Sequence, residues 1–187
     1  LIKQEKMKIV TRDQSIEDVR LDEITNRIAK ACKYCGDLDD IIDPVKVSVK
    51  VVNVIRDNIT TSELDETTAR ICMCLSLEHP DWGRLGSRII VSNHQKNTKL
   101  SFSECINRLY TNVDTTGTRC PLISEELFSI VDSRRDYYDS IIIQKRDFLI
   151  DYFGFKTLER SYFLKDSKGV ILETPQYMFL RVAIGIW

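Results

Sequence analysis

Met7-Lys8-Ile9-Val10-Thr11-Arg12-Asp13-Gln14-Ser15-Ile16-Glu17-Asp18-Val19, with the helical pattern behind it, decides how the front of this chain is read. Met7 to Arg12 alternates weakly, as a strand does. Asp13-Gln14-Ser15 is a plausible turn and Ile16 to Val19 a return strand, so a short hairpin is expected. Behind it Asp22 is a good N-cap, and Ile24, Ile28, Ala31, Cys32 and Cys35 recur at helical spacing. Gly36 is expected to end this helix, and Asp37 to Asp40 is a polar loop.

Three more helices follow. Asp43-Pro44 is a cap with proline at the first helical position. Val45, Val47, Val49 and Val51 alternate like a strand, while Val47, Val51, Val54 and Ile55 fit a helix. The start signal and a run of about 14 residues favour the helix. Ile59-Thr60-Thr61 reads as an extended link. Ser62 and Asp65 then make a capping-box-like start, with Leu64, Thr68, Ile71, Cys72 and Leu75 as the apolar face. His79-Pro80-Asp81 breaks the chain before a fourth helix from Asp81 to Asn97. Residues 1–97 thus read as a hairpin capping four helices.

Beyond a polar boundary at Lys96 to Ser101, residues 98–187 read as a second helical region, so the chain is mainly α. Ser101 to Glu104 is another capping box, opening a helix through Val113, and Asp114 to Pro121 is a loop. Ser124 starts a helix to about Arg134, Tyr137 to Ile143 is one more, and residues 147–164 are rich in aromatics. Lys165 to Gly169 is a turn, Val170 to Glu173 a short strand, and Thr174-Pro175 starts a last helix. That helix is apolar nearly all round and needs covering, so the sequence is expected to stop inside a larger domain.

Composition sets the bounds. At 187 residues and 21.7 kDa, one or two domains are expected. Folding would reduce roughly 31,000 Å² of accessible surface to roughly 9,000 Å², enough for a core without disulfides or metals. Lys and Arg total 27 against 28 Asp and Glu, a net charge of −1. That balance carries no electrostatic footprint for duplex nucleic acid or an anionic membrane. Only 7 Gly and 4 Pro favour long helices over a turn-rich sandwich. No apolar run approaches the roughly 18 residues that span a bilayer, and the charged N-terminus has no signal-peptide core. The chain begins at Leu1, so either a start precedes it or it is part of a longer polypeptide.

Candidate chemistry is sparse. Cys32-Lys33-Tyr34-Cys35 and Cys72-Met73-Cys74 are poorly spaced for zinc. They read with Cys105 and Cys120 as reduced thiols serving as small core residues, against a metal site or disulfide as the alternative. His79 reads as a turn residue, His94 as a core-edge or surface histidine, and Asp147, Asp151 and Glu173 as solvated charges or caps. No H-E-x-x-H, G-x-S-x-G or Walker sequence occurs. Arg12, Thr60-Thr61-Ser62 at a helix start, and Lys96 form a set able to hold an anion, with ordinary capping as the alternative.

Asp151 to Lys165 and Glu173 to Trp187 closely resemble the large (α) subunit of class I ribonucleotide reductase, of the eukaryotic and large-virus type. The front resembles the same proteins' ATP-cone, the domain that binds ATP or dATP and sets overall activity. Arg12-Asp13, Leu21 to Ile28, Thr60 to Asp65, His79-Pro80-Asp81 and Ser87 to Lys96 carry that likeness. The resemblance implies an ATP-cone over 1–97. Over 98–187 it implies the truncated helical N-terminal part of the catalytic domain, ahead of an α/β barrel. It also implies a base and ribose pocket at Glu17, Val19, Ile24 and Asp65, and phosphate contacts at Arg12, Thr61 and Lys96. The effector would be ATP or dATP, with Mg2+. The partners would be the small, radical-generating subunit and other large subunits through the cone, with no nucleic acid or membrane, in the cytoplasm. The parent would reduce ribonucleoside diphosphates to deoxyribonucleoside diphosphates for DNA synthesis. The family's catalytic cysteines match none of the six here, so this segment alone is expected to be inactive. The alternative is a truncated or split-gene interaction protein that docks on a reductase.

The pattern departs where charge matters. The family's hairpin reads Lys-Arg-Asp-Gly, and here Thr11 and Gln14 replace its lysine and glycine; Glu23 stands where a lysine is usual. Exposed charge pairs contribute about 0.2–1 kcal/mol each. Three lost units facing a triphosphate would weaken binding about tenfold to a thousandfold. Calorimetric titration of ATP and dATP checks this expectation, and micromolar affinity for either overturns it.

Overall fold

The computed structural model describes residues 7–34, 36, 38 and 40–186. Cys35, Asp37, Asp39 and Trp187, on which some sequence expectations fall, lie outside the described residues. The chain divides into two compact units, Leu1–Asn93 and His94–Trp187.

The first unit opens with the expected hairpin. Strands β1 (Lys8–Val10) and β2 (Ile16–Asp18) pair antiparallel, with Ile9 opposite Glu17. The turn is closed by Thr11 N–H donating to Ser15 O at 2.9 Å and Gln14 N–H to Thr11 O at 3.1 Å. Gln14 has a φ of 69°, the left-handed region that a glycine enters at no steric cost. The expected link at Ile59 is a third strand: β3 (Ile59–Thr60) runs parallel to β1, giving the order β2-β1-β3. Asn58, at φ 57°, turns the chain into this strand, and its N–H donates to Lys8 O at 2.9 Å. Asparagine tolerates that conformation.

Helix α1 (Leu21–Lys33) starts earlier than Asp22 suggests. Arg20 is its N-cap residue and gives no side-chain cap. Asp22 sits in the first turn, its carboxylate taken by Arg20 Nη2 at 2.8 Å, so it is not the cap. The far end is closed by a distant side chain. Arg88, 6% exposed, donates to Ala31 O at 3.1 Å and Cys32 O at 2.6 Å. Tyr34 there is already extended, and Gly36 adopts its φ of +100° beyond the helix end. A buried cation on the last carbonyls completes bonds that a helix end leaves open.

Helix α2 (Pro44–Val52) confirms helix over strand: Asp43 accepts Val45 N–H at 2.8 Å. It is shorter than the apolar run, because Val54 and Ile55 both turn back to Val51 O. Helix α3 (Thr61–Leu75) carries its capping box two residues before the expected one. Thr60 Oγ1 accepts Glu63 N–H at 3.1 Å and Glu63 accepts Thr60 N–H at 2.9 Å. Helix α4 (Pro80–Asn97) follows. Ile24, Ile28, Val47, Val51, Leu64, Cys72, Trp82 and Leu85 are buried in the first unit. At Gly86 a Cβ would stand 3.0 Å from Ala69 O and 3.3 Å from Cys72 Cβ, so α3 and α4 touch backbone to backbone there.

In the second unit Ser101 and Ser124 cap α5 (Phe102–Tyr110) and α6 (Glu125–Asp132) as expected. Helix α7 (Arg135–Ser140) and a 3-10 stretch (Gln144–Leu149) lead to α8 (Tyr152–Ser161), capped by Asp151, and then α9 (Pro175–Ile186). Phe102, Cys105, Ile106, Leu109, Leu127, Val131, Leu172 and Tyr177 form its core cluster. The strand expected at Val170 to Glu173 reduces to one bridge, Lys165 with Ile171. Glu173 and Asp147 are not solvated, being 0% and 1% exposed. Glu173 accepts Arg181 Nε at 2.5 Å, Arg181 Nη2 at 3.0 Å and Leu164 N–H at 2.8 Å. Asp147 accepts Gln95 Nε2 at 2.8 Å and Gln176 N–H at 3.2 Å. Buried carboxylates persist only when their lone pairs are filled this way.

Cys72 and Cys105 are buried and Cys32 is half-buried, as core thiols should be, whereas Cys74 and Cys120 are exposed. Burial pushes the Cys72 thiol up to about 12 and the Cys105 thiol up as well. Among the described residues no group of His, Cys, Asp and Glu side chains is placed to hold a metal. Nor is any helix long and apolar enough to cross a membrane.

His94 is buried, not at the edge. Its Nε2 lies 2.8 Å from Glu173 O, and its ring stacks on Phe163 and meets Phe155 edge-on, both at 5.2 Å. Desolvation lowers its pKa, against the opposing pull of the Glu173 carbonyl and the charges of Glu159 and Asp147.

Two outcomes are expected. Gly86→Ala lowers the denaturant midpoint, with a cost of about 1–3 kcal/mol from overpacking. For His94, a folded pKa below the ordinary value of about 6.5 means the unfolded chain takes the proton first. Its contribution is complete above about pH 6.5 and is lost as pH falls below that value. Stability measured between about pH 7 and pH 5 therefore declines, and His94→Gln flattens the decline.

Candidate functional site

The site is built where the strands of the first unit end. β1 runs on into Arg12 and β3 into Thr61, and the pairing of Val10 with Thr60 sets these ends side by side. Arg12 Nη1 donates to Thr61 Oγ1 at 3.3 Å. Arg12 Nη2 donates to Asp65 Oδ2 at 3.2 Å and to Asn93 Oδ1 at 2.5 Å. Arg27, from α1, donates to the other Asp65 oxygen, Oδ1, at 2.6 Å. Ser62 Oγ also donates to Asn93 Oδ1, at 3.2 Å, and Asn93 Nδ2 returns a bond to Ser62 O at 3.4 Å. Asp65 and Asn93 are buried, whereas the Arg12 and Arg27 side chains are 27% and 38% exposed.

The cluster is two guanidinium groups and one carboxylate at the start of a 15-residue helix. The positive end of the helix dipole there favours an anion, and the guanidinium fork matches phosphate. The capping box at Thr60 and Glu63 explains the role of Asp65. Because Glu63 completes the helix start, Asp65 is not a cap and turns toward the arginines.

Of the expected site residues, the structure brings Arg12, Thr61 and Asp65 together. Val19 lies at the other end of the hairpin, where its N–H donates to Met7 O at 2.8 Å. There it lines a groove of about 340 Å³ with Met7, Asp18, Arg20, Leu21 and Val52. Met7 and Arg12 are five residue steps apart, a span of about 17 Å at the rise of an extended chain. Ile24 is buried, and Glu17 lies exposed on β2. Lys96 lies in the last turn of α4, in the second unit.

Arg27 and Asn93 were not among the expected residues. Arg27 sits one turn beyond Glu23 on an amphipathic helix, where an arginine reads as a solvated charge. Asn93 reads as a neutral residue late in a helix. Only the shared contact with Asp65 and Arg12 marks them. The replaced residues have local roles. Thr11 Oγ1 bonds Asp13 and Ser15, and these hydroxyls hold the Asp13 carboxyl below its usual range. Glu23 pairs with Arg20 Nη1 at 3.2 Å.

These features have counterparts among known proteins. Residues 7–97 match the ATP cone domain, and residues 148–187 match the ribonucleotide reductase all-alpha domain. The hairpin-capped helical front of this chain is therefore an ATP-cone. The chain is 46% identical over 181 residues to the ribonucleoside-diphosphate reductase large subunit of Arabidopsis thaliana. It is 43% identical over 181 residues to that of Variola virus and 42% over 181 to that of Danio rerio. Each match covers 96% of this chain. The chain belongs to the ribonucleoside-diphosphate reductase large-subunit family and corresponds to its front. It spans 22% of the Arabidopsis protein and 23% of the Variola virus protein.

Asn93→Ala is expected to lower the stability of the chain by about 1–3 kcal/mol, because it removes the acceptor shared by Arg12 and Ser62. Chemical denaturation measures this directly.

Proposed function

We propose that residues 1–97 bind ATP or dATP as an allosteric effector of a ribonucleotide reductase. The observation that carries this reading is the convergence of Arg12 and Thr61 at the start of α3, beside Asp65. Phosphates would take the guanidinium of Arg12, the Thr61 hydroxyl and the α3 N-terminus. Lys96 is assigned a further phosphate contact from the family resemblance. The groove lined by Val19 would take the base, and the span along the hairpin suits an extended nucleotide. Glu17, Ile24 and Asp65 would complete the base and ribose pocket. Mg2+ would travel with the phosphates.

Residues 98–187 are proposed as the start of the helical N-terminal part of the catalytic domain. The full-length parent is proposed to reduce ribonucleoside diphosphates to deoxyribonucleoside diphosphates for DNA synthesis. It would work in the cytoplasm with a small radical-generating subunit and with other large subunits through the cone. The segment itself carries no catalytic role in this reading.

The electrostatics favour weak binding, because Thr11 contributes no charge and Glu23 contributes a negative one. Ligand-observed NMR titration at low salt is expected to show ATP and dATP binding weaker than micromolar. The double variant Thr11→Lys, Glu23→Lys should tighten it about tenfold or more, as three added positive units require. Silence from both proteins at millimolar nucleotide overturns the reading.

A further inference from the structure

We infer that Arg27 is a positioning residue for nucleotide binding, acting through Asp65 and not by touching the phosphates. The inference rests on the proposed nucleotide site and deepens it. Asp65 is 8% exposed, and two cations from different elements hold its two oxygens. Arg12 follows the hairpin strand β1 and takes Oδ2 at 3.2 Å; Arg27, on α1, takes Oδ1 at 2.6 Å. The two bonds differ in what nucleotide would do to them. Arg12 is the proposed phosphate ligand, and in this structure its guanidinium is turned inward onto Asp65, Asn93 and Thr61. In this reading phosphate draws it away, exchanging the carboxylate for a phosphoryl oxygen.

That exchange leaves a buried carboxylate with one cation fewer. A buried charge that loses its partner is strongly disfavoured, so an Asp65 held by Arg12 alone would resist the exchange. Arg27 removes that resistance. It keeps Oδ1 paired, and it stops the carboxylate turning about its soft terminal torsion. Oδ2 then stays aimed at the place Arg12 has left and accepts a hydroxyl or amino hydrogen of the nucleoside. The two arginines have separate tasks: one moves with the ligand and the other holds the carboxylate through the change.

A double-mutant cycle on ATP affinity tests this in the 187-residue chain, by ligand-observed NMR. Arg27→Gln should weaken ATP binding about tenfold or more, Arg27→Lys should restore most of the loss, and Arg27→Gln in an Asp65→Asn background should cost less than about twofold. Thermal melting of each variant reports folding, and where Arg27→Gln does not fold, Arg27→Met, which keeps the aliphatic stem and removes the cation, is read in both backgrounds with the same expected contrast. An equal loss in both backgrounds, or no loss in either, overturns the inference and leaves the nucleotide site standing. A wild-type chain that binds no nucleotide removes the site itself, and the inference with it.

Discussion

The parallel pairing of β1 with β3 is the constraint on which the rest of the first unit depends. It is very short, Ile9 with Ile59 and Val10 with Thr60. Yet it joins the first turn of the chain to the start of α3, across some fifty residues of sequence. Both apolar partners, Ile9 and Ile59, are buried, so slipping the register by one residue would expose them. With that register set, Arg12 and Thr61 emerge side by side, and the arginine reaches Asp65 one turn into the helix. Asn58 in its left-handed conformation makes the entry possible.

Both units spend buried charge on tertiary bonds that no local pattern provides. Arg88 closes α1 from within α4. Glu173 accepts Arg181 and the Leu164 amide, and Asp147 is filled by Gln95 and Gln176. Such groups add little net stability over apolar replacements, but removing one partner is costly. They therefore specify which segments meet. Among the described residues no buried side-chain polar atom lacks a partner.

The departures at Thr11, Gln14 and Glu23 are absorbed locally. Thr11 ties the Asp13 carboxylate into the turn, Glu23 pairs with Arg20, and Gln14 takes a conformation that glycine adopts more readily. The fold accommodates these changes, because a turn and a helix surface tolerate them. A phosphate site is more demanding, because its attraction scales with the charge that faces it. A turn and a helix surface thus tolerate three changes to which the proposed nucleotide site would be more sensitive.

Much of the fold was legible in the chain. The hairpin, the proline start of α2, the box at Ser101, the helix start at Ser124 and the helical apolar spacings are local signals, and each formed as read. Arg12 and Thr61 were legible as anion-holding groups from their chemistry, Asp65 joined them only through the family pattern, and the structure brings the three together. The capping box of α3 slid to Thr60, because that residue is held extended in a strand whose partner is fifty residues away. Arg27 and Asn93 carry no local mark; Glu173 and Asp147 read as solvated charges or caps and His94 as a core-edge or surface histidine, because their partners are distant in sequence. The sequence by itself determined which segments are helical and, at Asp43, Ser101 and Ser124, which residues cap them, since those preferences act within a few residues. Only the tertiary structure decided which charges are buried and paired, because burial and pairing depend on contacts between segments far apart in the chain.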